Sequence, residues 1–427
     1  MKTHRVSEWG SVPFQSTPGE PGLSRQEAER LCLEAERFAR AAGWPADDIL
    51  SYGRLEIRAK QTVGVIQSRG CRLEILPKID TGDDTLARRT LIGMLASVHD
   101  FPLSIGSQAT TEAQAKDVLE NLIASFLSRL DLEVRRGLPR QYIAQQDDLK
   151  HLRGSLDVTR QFTVLAASPD RLACRYDELS PDTPLSRVLK STCRYLGRIS
   201  INPGNQRRAR DLLSAFDGVG DLDPRRAIAS PDIALDRTNV AYRALLDQAL
   251  MFLRQRWQTI YDGDSTGFAL LFQMNALFEA YIGKAARHLQ SRLGCDVRLQ
   301  GPHSFALHTD LGTRHFKTKP DIFVEFENRA RRTIIDTKWK QLVQTDRGAP
   351  WGISNSDIYQ MLAYAEVYDA ERVVLLYPHS KQISLAPGLI DRFYSRDRDR
   401  VIDVATIDLS ILTGTEAQLG EILQARS

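Results

Sequence analysis

Apolar positions set out the elements of this chain before any motif is considered. Ser24-Arg25-Gln26-Glu27 has the form of a capping box, and behind it Ala28, Leu31, Ala35, Phe38 and Ala42 recur at helical spacing until Gly43 and Pro45 end the run. From Leu50 to Ile79 the period changes to two. Leu55/Ile57, Val63/Val65 and Leu73/Ile75 predict three short strands, broken at Lys60-Gln61 and Ser68-Arg69-Gly70, in an antiparallel meander. Helices are predicted over Leu86 to Val98 and over Ala113 to Arg136, the second with Val118, Leu122, Phe126 and Leu130 on one face and Gly137 after it. Short strands and helices mix between Gln141 and Pro231, with helices at Leu185 to Leu196 and Gln206 to Phe216. A long helix follows from Asn239 to Tyr261.

Asp262-Gly263-Asp264-Ser265-Thr266-Gly267 is the clearest linker and marks a boundary. Beyond it come a helix, a hairpin of two apolar strands, a helix at Asp357 to Tyr368, and strands at Arg372 to Tyr377 and Val401 to Leu409. The expected architecture is an α+β region over 1–262, with a small antiparallel sheet, helices and room for two subdomains. An α/β domain over 263–427 follows it.

Composition adds little to this picture. The chain has 427 residues, 42% hydrophobic and 26% charged, the profile of a soluble globular protein. No run approaches the roughly 20 apolar residues of a membrane span. Met1 to Phe14 lacks a charged-then-apolar secretory pattern. Cys32, Cys71, Cys174, Cys193 and Cys295 are scattered with no Cys-x-x-Cys, which argues against a disulfide framework or structural zinc and fits a reducing cytoplasm. The net charge of +3 permits nucleic-acid binding without demanding it.

The hairpin carries the chemistry. Its strands read Lys319-Pro320-Asp321-Ile322-Phe323-Val324 and Thr333-Ile334-Ile335-Asp336-Thr337-Lys338-Trp339. Asp336 and Lys338 are two apart and so share a face. Two carboxylates and a lysine brought together this way form a Mg²⁺ site with a cation beside it, the working part of a large class of nucleases. Asp321 and Asp336 would hold the ion, with the Thr337 carbonyl as a further ligand, and Lys338 would orient or help deprotonate the attacking water.

Neither half of the motif is specific alone. Pro-Asp recurs at Pro169-Asp170, Pro181-Asp182 and Pro231-Asp232, and Asp-x-Lys at Asp148-Leu149-Lys150, but none of these joins both halves on adjacent apolar strands. The blander reading of Asp336 and Lys338 is a surface ion pair. Ile334 and Ile335 count against it, because they make the strand buried on both faces, where a carboxylate needs a partner or a metal.

Two helices add candidates. Glu279, within Met274 to Ile282, could reach the site as a third carboxylate, or could lie on a solvated helix face. Gln360 and Tyr364 are one turn apart on a Gln-x-x-x-Tyr helix that resembles the helix supporting site and DNA strand in RecB-like nucleases; an ordinary amphipathic helix fits equally.

His303, His308 and His315 lack a zinc spacing. Basic clusters at Arg207 to Arg210, Arg225-Arg226, Arg329 to Arg332 and Arg396 to Arg400 could meet phosphates or simply face water. No Gly-x-x-x-x-Gly-Lys-Ser/Thr occurs, so no P-loop motor is expected in this chain.

The residues together resemble the McrC family, the nuclease subunit of McrBC modification-dependent restriction systems. Gly64-Val65-Ile66 with Arg72-Leu73-Glu74-Ile75-Leu76-Pro77-Lys78-Ile79 looks like its N-terminal signature. Leu152 to Leu156, Cys174 to Glu178 and Asp182 to Lys190 look like its middle region, with Ser186 where the family would carry Asn. Met274 to Ile282, Lys319 to Phe323, Ile334 to Lys340 and Asp357 to Tyr368 match its C-terminal PD-(D/E)xK restriction-endonuclease-like domain.

The resemblance implies an endonuclease on methylated double-stranded DNA, one or two Mg²⁺ ions, and an McrB-like AAA+ GTPase ring as partner. The N-terminal half would enter the ring and stimulate its hydrolysis. A free-standing RecB-like repair nuclease and a non-catalytic activator of the ring remain as alternatives.

Overall fold

The computed structural model describes residues 1–15, 17, 21–79, 83–101, 117–222, 233, 235–237, 239–257, 267–310, 312–326, 331–344, 350–397 and 399–425. The chain divides into two compact units, 1–118 with 264–427, and 119–263.

In the first unit the chain runs through β1 (Lys2–Ser7), β2 (Ser11–Pro13), α1 (Arg25–Ala42), β3 (Leu50–Tyr52), β4 (Glu56–Ala59), β5 (Thr62–Ser68), β6 (Cys71–Leu76) and α2 (Asp84–Val98). Then α3 (Val118–Arg136) leads into the second unit, which holds β7 (Gln141–Leu149), β8 (Ser155–Leu156), α4 (Val158–Thr163), β9 (Leu172–Ser180), α5 (Pro184–Ile199), α6 (Pro203–Ala215) and α7 (Arg243–Trp257). The first unit resumes with β10 (Phe268–Gln273), α8 (Met274–Leu293), β11 (Cys295–Leu299), β12 (Ser304–His308), β13 (Arg314–Thr318), β14 (Ile322–Phe326), β15 (Arg332–Thr337), α9 (Asn355–Val367), β16 (Arg372–Pro378), β17 (Gly388–Tyr394), β18 (Val401–Ile407) and α10 (Thr415–Gln424).

The first helix forms as its sequence dictates. Ser24 Oγ accepts from the Glu27 N–H at 3.2 Å, the Ser24 N–H donates to Glu27 Oε2 at 2.9 Å, and Gly43 ends the helix at φ 69°. Leu31 and Phe38 face a core shared with Ile57, Ile66, Leu73 and Leu271.

The strands after it depart from a meander. β4 pairs antiparallel with β2 and β3, while β5 and β6 belong to a separate sheet of order β1-β6-β5-β10. That sheet is mixed rather than antiparallel, because β1 runs parallel to β6. The reason is burial. β6 is covered along its whole length and β5 nearly so, and such strands need neighbours on both edges, which β1 and β10 supply. β4 is covered only at alternate positions.

Whereas the sequence reading set 1–262 apart from 263–427, β10 closes this N-terminal sheet by pairing antiparallel with β5. The fit is close: at Gly64 (φ 130°) a Cβ would stand 2.0 Å from the Leu270 carbonyl oxygen. Glu74 on β6 is buried, and accepts two bonds from the buried Arg88 guanidinium at 2.9 and 2.7 Å.

The second sheet of this unit has the order β11-β14-β15-β16-β18-β17. β14 is antiparallel to both β11 and β15, β15, β16 and β18 are parallel, and β17 closes the edge antiparallel. β16 and β18 are almost continuously apolar, as parallel strands buried on both faces must be. Their one buried ion pair joins Arg372 Nε to Asp403 Oδ2 at 2.6 Å. Met361, Tyr364 and Ala365 of α9 pack with Ile334, Val373 and Val404.

The second unit combines the antiparallel sheet β7-β9-β8 with helices. Buried Glu120 ties α3 to α6 by accepting from Ser200 Oγ (2.5 Å), the Ile201 N–H (2.8 Å) and Asn205 Nδ2 (2.9 Å). The Pro181-Asp182 pair is structural here, since Asp182 takes a two-pronged bond from Arg187 at 2.7 Å on each oxygen. Residues 113–116, 258–261 and the 262–266 part of the linker lie outside the described residues. Among the described residues no helix is long and apolar enough to cross a membrane.

The Gly64–Leu270 approach makes a prediction. Gly64→Ala should destabilise the fold by roughly 2–4 kcal/mol, from a forced backbone shift added to left-handed strain. Gly43→Ala, with open space around its Cβ, should cost about 1 kcal/mol. Urea unfolding of the two variants measures the difference; equal midpoints would remove close strand approach as the cause.

Candidate active site

The β14–β15 hairpin is antiparallel with Ile322 opposite Ile335, which sets Asp321, just before β14, beside the end of β15. Asp321 Oδ2 accepts from the Thr337 N–H at 2.8 Å and from Thr337 Oγ1 at 2.9 Å. Thr337 therefore fastens the first carboxylate to the second strand.

Asp336 is 2% exposed. Lys338 Nζ stands 2.8 Å from its Oδ2, an ion-pair distance, but off the angle of a hydrogen bond, so this buried oxygen has no hydrogen-bonded donor. Burial pushes the Asp336 carboxyl up to about 6; the Asp321 charge adds to the shift and Lys338 opposes it. Burial works against the Lys338 ammonium, but the Asp336 charge outweighs it and the pKa of Lys338 is raised.

The helix candidates join this centre. Lys338 Nζ donates to Gln360 Oε1 at 3.2 Å, Gln360 Nε2 donates to Tyr364 OH at 2.9 Å, and Tyr364 OH donates to Lys319 O at 3.1 Å. This relay runs from the second strand of the hairpin through α9 to the residue before Pro320-Asp321. Glu279 on α8 is partly buried, and its carboxyl is pushed up to about 7, first by burial and then by the charge of Asp321, with Asp336 adding to it.

Three residues near the site were not among the candidate site residues of the sequence. Glu8, at the turn after β1, is buried; its Oε1 accepts from Trp339 Nε1 at 2.5 Å and from the Lys78 N–H at 3.2 Å, while its Oε2 has no partner. Burial pushes its carboxyl up to about 7. A single acid in a polar turn gives no pattern to read. Tyr377 on β16 looks like one more core aromatic, but its buried hydroxyl has no partner and its pKa is raised by burial, with the charges of Asp357 and Asp336 contributing. Asp357 caps α9 with Ser354 and also lines a cleft of about 440 Å³ with Glu8, Lys78, Lys338 and Lys340.

The donor set suits a hard divalent cation: oxygen ligands, one of them on a buried carboxylate, and carboxylates whose mutual repulsion a cation would relieve. Among the described residues no three His, Cys, Asp or Glu side chains converge closely enough to hold a metal by themselves. Mg²⁺ commonly takes only one or two carboxylates, keeping water and substrate phosphate for the rest.

The other candidates lie elsewhere. His308 and His315 are exposed on the β12–β13 hairpin, and His303 just precedes it. Arg331 donates to Leu423 O, Arg332 pairs with Glu325, and Arg400 pairs with Asp369. Arg208 on α6 donates to Ser128 Oγ. Arg225, Arg226, Arg329 and Arg398 lie outside the described residues.

With this geometry in hand, the comparison with known families is specific. The family model for the McrBC 5-methylcytosine restriction system component matches residues 57–378. The chain belongs to this family. A chain of the refined half-complex from a tetradecameric assembly of Thermococcus gammatolerans McrB AAA+ hexamers with bound McrC is similar over 99% of this chain and 100% of its own, at 18% identity and a TM-score of 0.70. A chain of the Thermococcus gammatolerans McrBC complex solved by cryo-electron microscopy is similar over 67% of this chain and 87% of its own, at 21% identity and a TM-score of 0.54. At these identities the likeness is one of fold. No curated protein sequence matches. The family span takes in β4 to β16, and with them Glu279, both hairpin carboxylates, Lys338 and the Gln360–Tyr364 relay.

The raised Asp336 pKa has a signed consequence for stability. A carboxyl whose folded pKa lies above its unfolded value contributes stability below the unfolded pKa and loses it as pH rises through the folded one. Metal-free Asp336→Asn should therefore unfold at higher urea than the parent at pH 8, with an advantage about half as large at pH 5, between the unfolded and folded pKa values. Equal midpoints at pH 8 would mean that Asp336 is not strained by burial.

Proposed function

We propose that this McrBC-family chain is the Mg²⁺-dependent DNA endonuclease subunit of a modification-dependent restriction complex, with a PD-(D/E)xK site on the β14–β15 hairpin. The observation that carries the reading is Asp336: a buried carboxylate whose Oδ2 meets only the Lys338 ammonium at 2.8 Å, with two further carboxylates within electrostatic reach.

Asp321 and Asp336 would hold Mg²⁺, with the Thr337 carbonyl as a further ligand; Glu279 would add negative charge beside the ion rather than ligate it directly. The bound ion would supply Lewis-acid polarisation of the scissile phosphate and a more acidic water. Lys338 is held protonated by Asp336. It acts as a fixed cation and donor that orients the attacking water and offsets charge developing on the phosphorane-like transition state. Gln360 and Tyr364 hold that ammonium in position and brace the backbone ahead of Asp321.

The partner in this reading is an McrB-like AAA+ GTPase ring, as in the assembly of McrB hexamers with bound McrC that this fold resembles. The second unit has surface to offer it: Val158 and Phe162, one turn apart on α4, are 58% and 75% exposed, and Val164 and Tyr142 are exposed as well.

Cleavage of methylated plasmid by the chain with its partner, GTP and Mg²⁺ tests the proposal. Asp336→Asn should lower cleavage about 100-fold or more while partner-stimulated GTP hydrolysis persists. Unchanged cleavage would refute the site. Cutting by the chain alone, without nucleotide, would instead make it a free-standing RecB-like nuclease.

A further inference from the structure

Ser7, Glu8, Trp9 and Gly10 make a tight turn after β1, closed by the Gly10 N–H donating to Ser7 O at 2.9 Å. Its third residue, Trp9, has φ 63°, where such a turn ordinarily carries glycine or asparagine. Trp9 is also 52% exposed, with the Lys60 ammonium 5.9 Å from its ring centroid, so its indole adds little apolar packing to offset the backbone strain. Strain of this kind persists where the surroundings enforce it, and it collects at ligand clamps.

The surroundings do enforce it. The Glu8 N–H donates to Leu76 O at 2.8 Å, and Glu8 Oε1 accepts from Trp339 Nε1 and the Lys78 N–H. The topology then gathers a set of groups at one end of the β1-β6-β5-β10 sheet. Because β1 and β6 are parallel and β5 and β10 alternate in direction, the ends of β1, β6 and β10 and the start of β5 coincide. These place Trp9, Lys78, Asn275 and Gln61 around the cleft that Lys338 and Lys340 border from the catalytic hairpin. Lys78 is exposed; Lys340 donates to Gly352 O at 2.8 Å and keeps two donors free. Glu8 and Asp357 are the acids of the same wall, the first buried and the second engaged in its helix cap.

An exposed aromatic face flanked by cations is the arrangement that binds a nucleic-acid strand: the ring stacks on a base of any identity while the ammonium groups take the phosphates on either side. We propose that this cleft is a nucleotide subsite for the DNA strand leading into the Asp321–Asp336 centre, with Trp9 stacking on an unpaired base and Lys78 and Lys340 binding the flanking phosphates. The subsite rests on the nuclease reading above and extends it to residues outside the hairpin. Glu8 is its positioning residue, holding the turn against Trp339.

The test is equilibrium binding of a fluorescein-labelled single-stranded oligonucleotide to the full chain in EDTA, so that affinity is read independently of cleavage. Trp9→Gly should weaken binding roughly five-fold or more, and Trp9→Phe should retain most of it. Lys78→Ala should make the slope of log affinity against log salt shallower by about 0.7. Glycine suits φ 63°, so Trp9→Gly should keep its unfolding midpoint, and lost binding cannot then be a folding defect. Wild-type affinity in Trp9→Gly, or no binding by the parent chain, would overturn the subsite. The nuclease reading fails separately, by unchanged plasmid cleavage in Asp336→Asn.

Discussion

The antiparallel seam between β5 and β10 is the constraint on which the rest of the first unit depends. It is made residue for residue from Thr62–Gln273 to Gln67–Phe268, and at Gly64 the two backbones come closer than any side chain allows. β10 runs straight into α8, which carries Glu279. The same pairing therefore completes the N-terminal sheet and sets the height of a helix that serves the C-terminal hairpin. It is the strand pairing that joins residues 1–118 to 264–427 in one compact unit, beside side-chain ties such as Trp339 Nε1 to Glu8. The loop-closure entropy of joining segments some 200 residues apart is modest, because it grows only with the logarithm of length. The seam offsets it with a largely buried, mostly apolar strand pair.

At the candidate site the deciding quantity is the desolvation of Asp336. A carboxylate taken out of water destabilises a fold unless something compensates it, and the compensation here is incomplete. Lys338 offers charge without a well-aligned hydrogen bond, and Asp321 adds repulsion. The contrast with Asp403 is instructive. That acid is buried just as deeply but meets the Arg372 and Arg392 guanidiniums at 2.6 and 2.7 Å, on both its oxygens. One buried carboxylate is closed off by arginine, which is the structural solution; the other is left open beside a lysine.

Much of this was visible in the pattern of residues. The capping box and Gly43 bound the first helix because both act within one turn of chain, and the Ile334-Ile335-Asp336 run read as a buried strand ending in an acid because strand burial is written in consecutive side chains. Gln360 and Tyr364 were recognisable as a pair one turn apart. Local chemistry of this sort depends on neighbours in sequence, which a single chain displays directly.

What the sequence could not show depends on pairing between distant segments. The alternation over 50–79 is compatible with one meander or with two sheets, and only the arrival of β1 and β10 at the edges of β5–β6 decides for two. Glu8 and Trp9 look like ordinary turn residues until β1 lies parallel to β6 and brings them to Lys78 and Trp339. Glu279 fits a solvated helix face equally well until α8 is packed behind the hairpin. The sequence by itself determined the elements and the two-strand acidic motif, because helix caps, strand period and motif spacing are short-range properties of the chain. The tertiary structure alone decided which acids are buried, which oxygen lacks a partner and which lysines line the cleft, because desolvation and charge proximity are set by groups that arrive from hundreds of residues away.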